Sequence, residues 1–328
     1  MYKKIRLIIV IFLVIVLGFL VPTGYYIIKP GSADDLSSLI QVEGKAREEA
    51  GGFFMMTVAQ QPANLWSFLY GAFHPLLDLR PISRVIPPDM TSEEYSELMQ
   101  NWMQDSKYLA QIIALRRAGY EVPIVSEGVE IVDLIPGSPV EDILKPGDII
   151  RAVEGDEVNL AEELVEKIQE KEIGENILIT VQQGKEIKDL EVVTAPHIDD
   201  PQKAALCIYV RTLNWQPVLP MEIKIETGPV IGPSAGLMFV LEIFDRLVPE
   251  NLTGGHKIAG TGTISLDEKV GGIGGVKQKV AAAERESIEF FLVPEENYED
   301  ALQAATKIEV VSVAELEDAL DFLYDLSS

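Results

Sequence analysis

The chain has 328 residues and carries 52 Asp and Glu against 27 Lys and Arg, a formal net charge of −25. So acidic a surface repels phosphate backbones and excludes nucleic acid as a natural partner, and the length sets an expectation of about two domains. The single cysteine, Cys207, excludes an internal disulfide and a Cys-rich metal site, and its apolar neighbours make it a small core residue.

Lys3, Lys4 and Arg6 precede an uncharged run from Leu7 to Ile28, closed by Lys29. Such a run is long enough to cross a hydrocarbon core of about 30 Å as a helix. Tyr25 and Tyr26 stand where an interfacial belt would lie, and the basic flank puts the N-terminus on the cytoplasmic side. The expectation is a transmembrane signal anchor over 1–30 in the cell membrane, single-pass, with everything after it extracytoplasmic. A cleaved signal peptide is the competing reading, and it is weaker because no small-x-small site follows the run.

Short strands are expected at Leu39–Val42 and Phe53–Val58. Residues 62–88 mix aromatics and prolines as an apolar helical segment and a loop. Thr91 to Glu94 has capping-box spacing and opens a helix whose apolar residues recur to Ile113, with Arg116 and Arg117 at its end and Gly119 beyond. This makes 31–121 an extracytoplasmic segment of early strands and a helix.

A strand at Val129–Leu134, the Pro136-Gly137 turn, a helix at Ala161–Gln169 and strands at Ile177–Gln182 and Lys188–Val193 form a distinct block. Its GSPVEDILKPGDIIRAVEGDEV stretch (137–158) resembles that of a PDZ domain, giving a domain over 122–196. PDZ domains add an extended peptide as a strand beside a helix. The resemblance puts the carboxylate-binding loop at Ile124–Gly128, without the Gly-Leu-Gly-Phe form. After it, 197–328 alternates strands (Leu206–Val210, Met221–Ile225, Ile258–Ile264, Phe290–Val293, Ile308–Val311) with helices from Ser234, Val276 and Ala314, an α/β (α+β) catalytic domain.

Gly232-Pro233-Ser234-Ala235-Gly236 matches G-x-S-x-G, in which flanking glycines let the backbone turn tightly around a nucleophile. The apolar run after it has helical spacing, so Ser234 should sit at a helix N-terminus, where free N–H groups near Gly232, Ala235 and Gly236 can hold an oxyanion. An α/β-hydrolase needs an acid and then a His downstream. Only His256 follows the serine among His74, His197 and His256, and too soon.

A lysine base suits the pattern better. A Gly-rich turn (271–275) runs into an Ala-rich helix, with Lys277 near its start and the apolar Val280 and Ala281 at i+3 and i+4. Burial against apolar groups disfavours the charged amine, and a free amine can take the serine proton. Spacing alone also allows Lys277 to be an ordinary surface lysine. Lys279 is two positions on, faces another way, and is expected to be solvated.

GPSAG (232–236) and GTGTISLDEKVGGIGGVKQKVAAA (260–283) resemble the serine and lysine segments of the Lon family of Ser–Lys peptidases. The resemblance implies Ser234 as nucleophile, the first lysine of the Lys-x-Lys pair, Lys277, as general base, and Thr261 as the threonine that hydrogen-bonds the lysine. With anchor and PDZ domain, the whole chain is similar to the membrane-anchored PDZ/Lon-like proteases of bacteria. In that family the strands near 39–58 would belong to the catalytic fold, making the PDZ domain an insertion.

No Gly-x-x-x-x-Gly-Lys-Ser/Thr phosphate loop occurs, so the resemblance implies ATP-independent cleavage of peptides or unfolded segments, with no nucleotide, metal or other cofactor. It leaves a homo-oligomer open. Two rival readings are a catalytically silent PDZ surface adaptor, which Ser234→Ala would leave unchanged, and a His-dependent esterase, which His256→Ala would abolish.

Overall fold

The computed structural model describes residues 2–45, 51–88, 90–198 and 200–327. The chain divides into two compact units, one formed by Met1–Glu121 with Leu219–Ser328 and the other by Val122–Val218.

In the first unit, helix α1 (Tyr2–Leu20) leads into strands β1 (Pro22–Asp35) and β2 (Gly52–Asn64). Helix α2 (Leu65–Phe73), strand β3 (Asp78–Pro81) and the long helix α3 (Ser92–Arg117) follow. The chain returns with α4 (Gly236–Leu247), β4 (Lys257–Gly260), α5 (Val276–Arg285), β5 (Phe290–Pro294), α6 (Tyr298–Ala304), β6 (Glu309–Val313) and α7 (Leu316–Ser327). Six strands make one mixed sheet in the order β6-β5-β4-β2-β1-β3. The β6/β5, β5/β4 and β4/β2 pairs are parallel, and β2/β1 and β1/β3 are antiparallel.

The apolar run from Leu7 to Ile28 does not form one helix. Pro22 lacks an amide donor and cannot extend α1, so residues from Pro22 onward enter β1 and pair with β2 and β3. The apolar part of α1, Leu7–Leu20, rises about 21 Å, short of a hydrocarbon core of about 30 Å. Among the described residues no helix is long and apolar enough to cross a membrane. The expected anchor over 1–30, and with it the single-pass placement in a cell membrane with extracytoplasmic domains, does not hold.

Helix α3 has the capping box expected at Thr91, whose hydroxyl accepts from the Glu94 N–H while the Glu94 carboxylate accepts from the Thr91 N–H at 2.7 Å. Its inner face (Met103, Ala110, Ile113) packs on α4, in which every residue from Gly236 to Asp245 is buried. Truncating the fully buried Phe239 of α4 to Ala would cost about 3–5 kcal/mol through lost burial and a cavity. The acids buried in α4 are paired: Glu242 with Arg246 at 2.7 Å, and Asp245 accepting the Leu252 N–H at 2.8 Å. Buried charge demands such partners.

In the second unit an antiparallel sheet runs in the order 186–193, 176–183, 149–153, 129–134, 208–212. Alternate residues Ile177, Ile179 and Val181 face a core shared with Val129, Ile131 and Leu164. Here the domain boundary differs from the expected 196/197 division. The strand expected at Leu206–Val210 in the catalytic domain runs over Ile208–Thr212, pairs with Val129–Leu134 and completes this sheet, and the unit ends at Val218. Residues Ile124–Val125, the expected carboxylate-loop region, pair instead with Gln216–Pro217.

Candidate active site

The serine loop is built by close approach. Gly232 has φ +91°, a conformation costly for residues with a Cβ, and its N–H donates to Met99 O of α3 at 3.0 Å. A Cβ on Gly236 would lie 2.8 Å from Ser106 Oγ, so a side chain there would push the Ser106 hydroxyl out of its place against the loop. Ala235 is the N-cap of α4, which leaves Ser234 two residues before the helix begins at Gly236.

Both peptide planes flanking Ser234 are pinned. The Pro233 carbonyl accepts from the Ser106 hydroxyl at 3.1 Å and from the Gly236 N–H at 3.2 Å. The Ser234 carbonyl accepts from the Gly262 N–H at 2.8 Å and the Thr261 hydroxyl at 2.9 Å. Thr261 follows the C-terminal end of β4 and is fully buried.

The lysine beside Ser234 is Lys279, not Lys277. Lys279 Nζ lies 2.8 Å from Ser234 Oγ and 2.7 Å from Thr261 Oγ1. Lys279 is 2% exposed, and burial pushes its pKa down from 10.5 to about 7. Lys277 points outward, with its side chain 46% exposed and Nζ 3.3 Å from Asp300.

The physical reason is helical phase. Val276, Lys279, Val280 and Ala283 are spaced i, i+3, i+4 and i+7, and all four are buried, so they form the inner stripe of α5. Lys277 lies off that stripe. The expected solvation of Lys279 is therefore also corrected. The 276/280/283 spacing is the sequence signal that would have put Lys279 inside.

The hydrogen-bond inventory fixes the roles further. Thr261 has one hydroxyl proton and spends it on the Ser234 carbonyl, so toward Lys279 it can only accept. Lys279 Nζ donates to both the Thr261 and the Ser234 hydroxyl oxygens.

Beside the serine lies a cavity of about 370 Å³ lined by Met55, Met56, Val58, Met103, Val230 and Ile231, among others. Strand β2 forms one wall. It pairs with β4 only over Gly52–Met55, and beyond Met55 no described strand occupies that edge. His256 is bonded to Glu289 at 2.8 Å, whereas the Ser234 hydroxyl is bonded to Lys279. Among the described residues no group of His, Cys, Asp and Glu gathers to hold a metal ion.

The second unit has its own apolar groove, also about 370 Å³, between helix Ala161–Gln169 (Leu164, Val165, Ile168) and residues 204–210. The groove wall thus follows the helix in sequence instead of preceding Val129.

Residues 221–324 match the Lon protease (S16) C-terminal proteolytic domain, and residues 103–194 match the PDZ domain. A Lon protease of Mycoplasma mobile is 34% identical over 100 residues, which are 29% of this chain and 12% of that protein. Lon protease 2 of Bacillus subtilis is 33% identical over 116 residues, 34% of this chain and 20% of that protein. The chain therefore spans a fifth or less of the length of these relatives. Among solved structures, the PDZ domain of an SdrC-like protein from Listeria monocytogenes aligns at 19% identity, covering 26% of this chain and 87% of that one with a TM-score of 0.24. By sequence, this chain carries the C-terminal proteolytic domain of the Lon (S16) serine proteases together with a PDZ domain.

Proposed function

We propose that the chain is an ATP-independent endopeptidase in which Ser234 is the nucleophile and Lys279 the general base. The observation that carries this reading is the buried contact of Lys279 Nζ with Ser234 Oγ at 2.8 Å. A lysine with a pKa of about 7 is half neutral near physiological pH, which an exposed lysine is not.

The neutral amine takes the Ser234 proton as Oγ attacks the peptide carbonyl carbon. Backbone N–H groups at Ser234 and Ala235 hold the developing oxyanion. The Lys279 ammonium then gives its proton to the leaving amine, the C–N bond breaks, and an ester on Ser234 remains. Water attacks that ester with Lys279 again as base, releasing the acid and restoring the serine. Thr261 keeps the lysine nitrogen aimed at Oγ throughout.

The unpaired edge of β2 beside the serine supports an extended substrate, whose backbone would satisfy those N–H and C=O groups. In the second unit, Ile208–Thr212 is an edge strand facing the apolar groove, which supports capture of a substrate segment by strand addition. No phosphate-loop sequence is present in the chain, so substrates are flexible or already unfolded segments.

Digestion of an unstructured peptide library without nucleotide, read by mass spectrometry, tests the proposal. Wild type should cut, and Ser234→Ala and Lys279→Ala should not. Equal cutting by wild type and Ser234→Ala would refute it.

A further inference from the structure

We propose that Ser106, on α3, is a positioning residue that aims the Ser234 N–H as an oxyanion donor. This rests on the Ser234–Lys279 reading above and adds to it a residue well before the Lon-type segment at 221–324.

The geometry is specific. The C=O of Pro233 and the N–H of Ser234 belong to one planar peptide unit and point in opposite directions. Fixing the carbonyl therefore fixes the N–H. Pro233 has no amide hydrogen of its own, and its ring restricts φ, so rotation of its ψ is the freedom that remains to turn this plane. The Ser106 hydroxyl, donating to the Pro233 oxygen at 3.1 Å, adds to the Gly236 N–H at 3.2 Å a second donor from another helix, and together they remove that freedom.

Ser106 is placed for this task and not for a solvent contact. It is 3% exposed, and its hydroxyl reaches a carbonyl 127 positions away. A serine in a helix commonly bonds back to its own preceding turn; this one bonds across to the loop. Two further contacts hold α3 in register with that loop. The Met99 carbonyl accepts from Gly232, and Gly236 has no side chain to hold Ser106 away. The second plane, between Ser234 and Ala235, is pinned separately by Thr261 and Gly262. Ser106, with the Gly236 N–H, thus holds one of the two N–H groups that flank the nucleophile, and Thr261, with the Gly262 N–H, holds the other.

Oxyanion donors act in the transition state more than in the ground state, so the loss should appear in kcat and not in KM. The test compares wild type, Ser106→Ala and Ser106→Thr in the full chain. It measures kcat and KM on a flexible peptide, the rate of Ser234 labelling by a fluorophosphonate, and the unfolding midpoint. Ser106→Ala should lower both kcat and the labelling rate by about 10- to 100-fold, since small misplacement of catalytic groups costs on that order. KM and the midpoint should stay close to wild type, and Ser106→Thr, which keeps a hydroxyl, should recover part of the loss.

An unchanged labelling rate in Ser106→Ala overturns the proposal. So does a loss that Ser106→Thr shares in full, or one that follows a fall in the unfolding midpoint. Labelling separates this proposal from the peptidase reading. Labelling that depends on Ser106 without peptide cleavage upholds the positioning role and defeats the peptidase reading. Absence of labelling in wild type defeats both.

Discussion

Lys279 and Thr261, both buried, share a hydrogen bond of 2.7 Å, and the same lysine nitrogen reaches Ser234 Oγ at 2.8 Å. Thr261 donates to the Ser234 carbonyl, so one hydroxyl both orients the lysine and holds the backbone of the serine. Replacing Thr261 with Val removes both effects at nearly constant volume. kcat should fall by about 10- to 100-fold, as expected when a catalytic group loses its orientation. A charged ammonium also makes the stronger bond to Thr261, so its loss should move the lysine pKa further down. The pH midpoint of kcat/KM should shift toward acid, and an unshifted midpoint would show that Thr261 does not touch the titrating group.

The pH dependence follows from Lys279. Only the neutral amine can accept the serine proton, and burial sets its pKa at about 7. kcat/KM should rise with pH through a midpoint near that value and level off above it. A profile that rises only near the ordinary lysine range would place the titrating lysine in water.

The buried lysine should also cost stability. Its pKa is about 7 folded and 10.5 as the ordinary value, so between these the unfolded chain binds more protons. Stability therefore falls as pH drops from 10.5 toward 7 and carries the full penalty below 7, at most about 5 kcal/mol. Lys279→Met removes the titration but leaves two hydroxyls with one partner fewer. At pH 6 it should gain about 2 kcal/mol in urea unfolding while losing activity. The gain should be smaller at pH 10. An equal gain at both pH values would assign it to packing alone.

The groove of the second unit makes a separate prediction. Val165 lines it and is 44% exposed, so a charge there should not disturb the core. Val165→Glu should raise KM for long unfolded substrates by about tenfold through a desolvated charge in an apolar groove, and leave short-peptide cleavage unchanged. Equal kinetics on long substrates would remove the groove from substrate capture.

Local rules made much of the fold legible. The capping box at Thr91 and Glu94 marked the start of α3, and Arg116, Arg117 and Gly119 marked its end. The glycines at 232 and 236 marked the serine loop, where one needs positive φ and the other a missing Cβ. The errors arose where a long-range partner or a helical phase decided the outcome. Hydropathy alone joined Leu7 to Ile28, but Pro22 ended the helix and the remainder found strand partners in β2 and β3. Strand Ile208–Thr212 has an ordinary strand pattern, and only its pairing with Val129–Leu134 tells which unit owns it. The Lys-x-Lys pair points to Lys277 by resemblance, but the 276/279/280/283 stripe puts Lys279 inside. Ser106 had no signal at all, because a serine within an apolar helix face says nothing about a carbonyl 127 residues away.

The most direct measurement compares Lys279→Ala and Lys277→Ala, each without residues beyond the substitution changed, for cleavage of one unstructured peptide and for Ser234 labelling. Lys279→Ala should lose activity by about a thousandfold, in line with removal of a general base. Lys277→Ala should stay within about twofold of wild type, as a surface substitution does. The reverse pattern, with Lys277→Ala inactive and Lys279→Ala active, would contradict the assignment of the base.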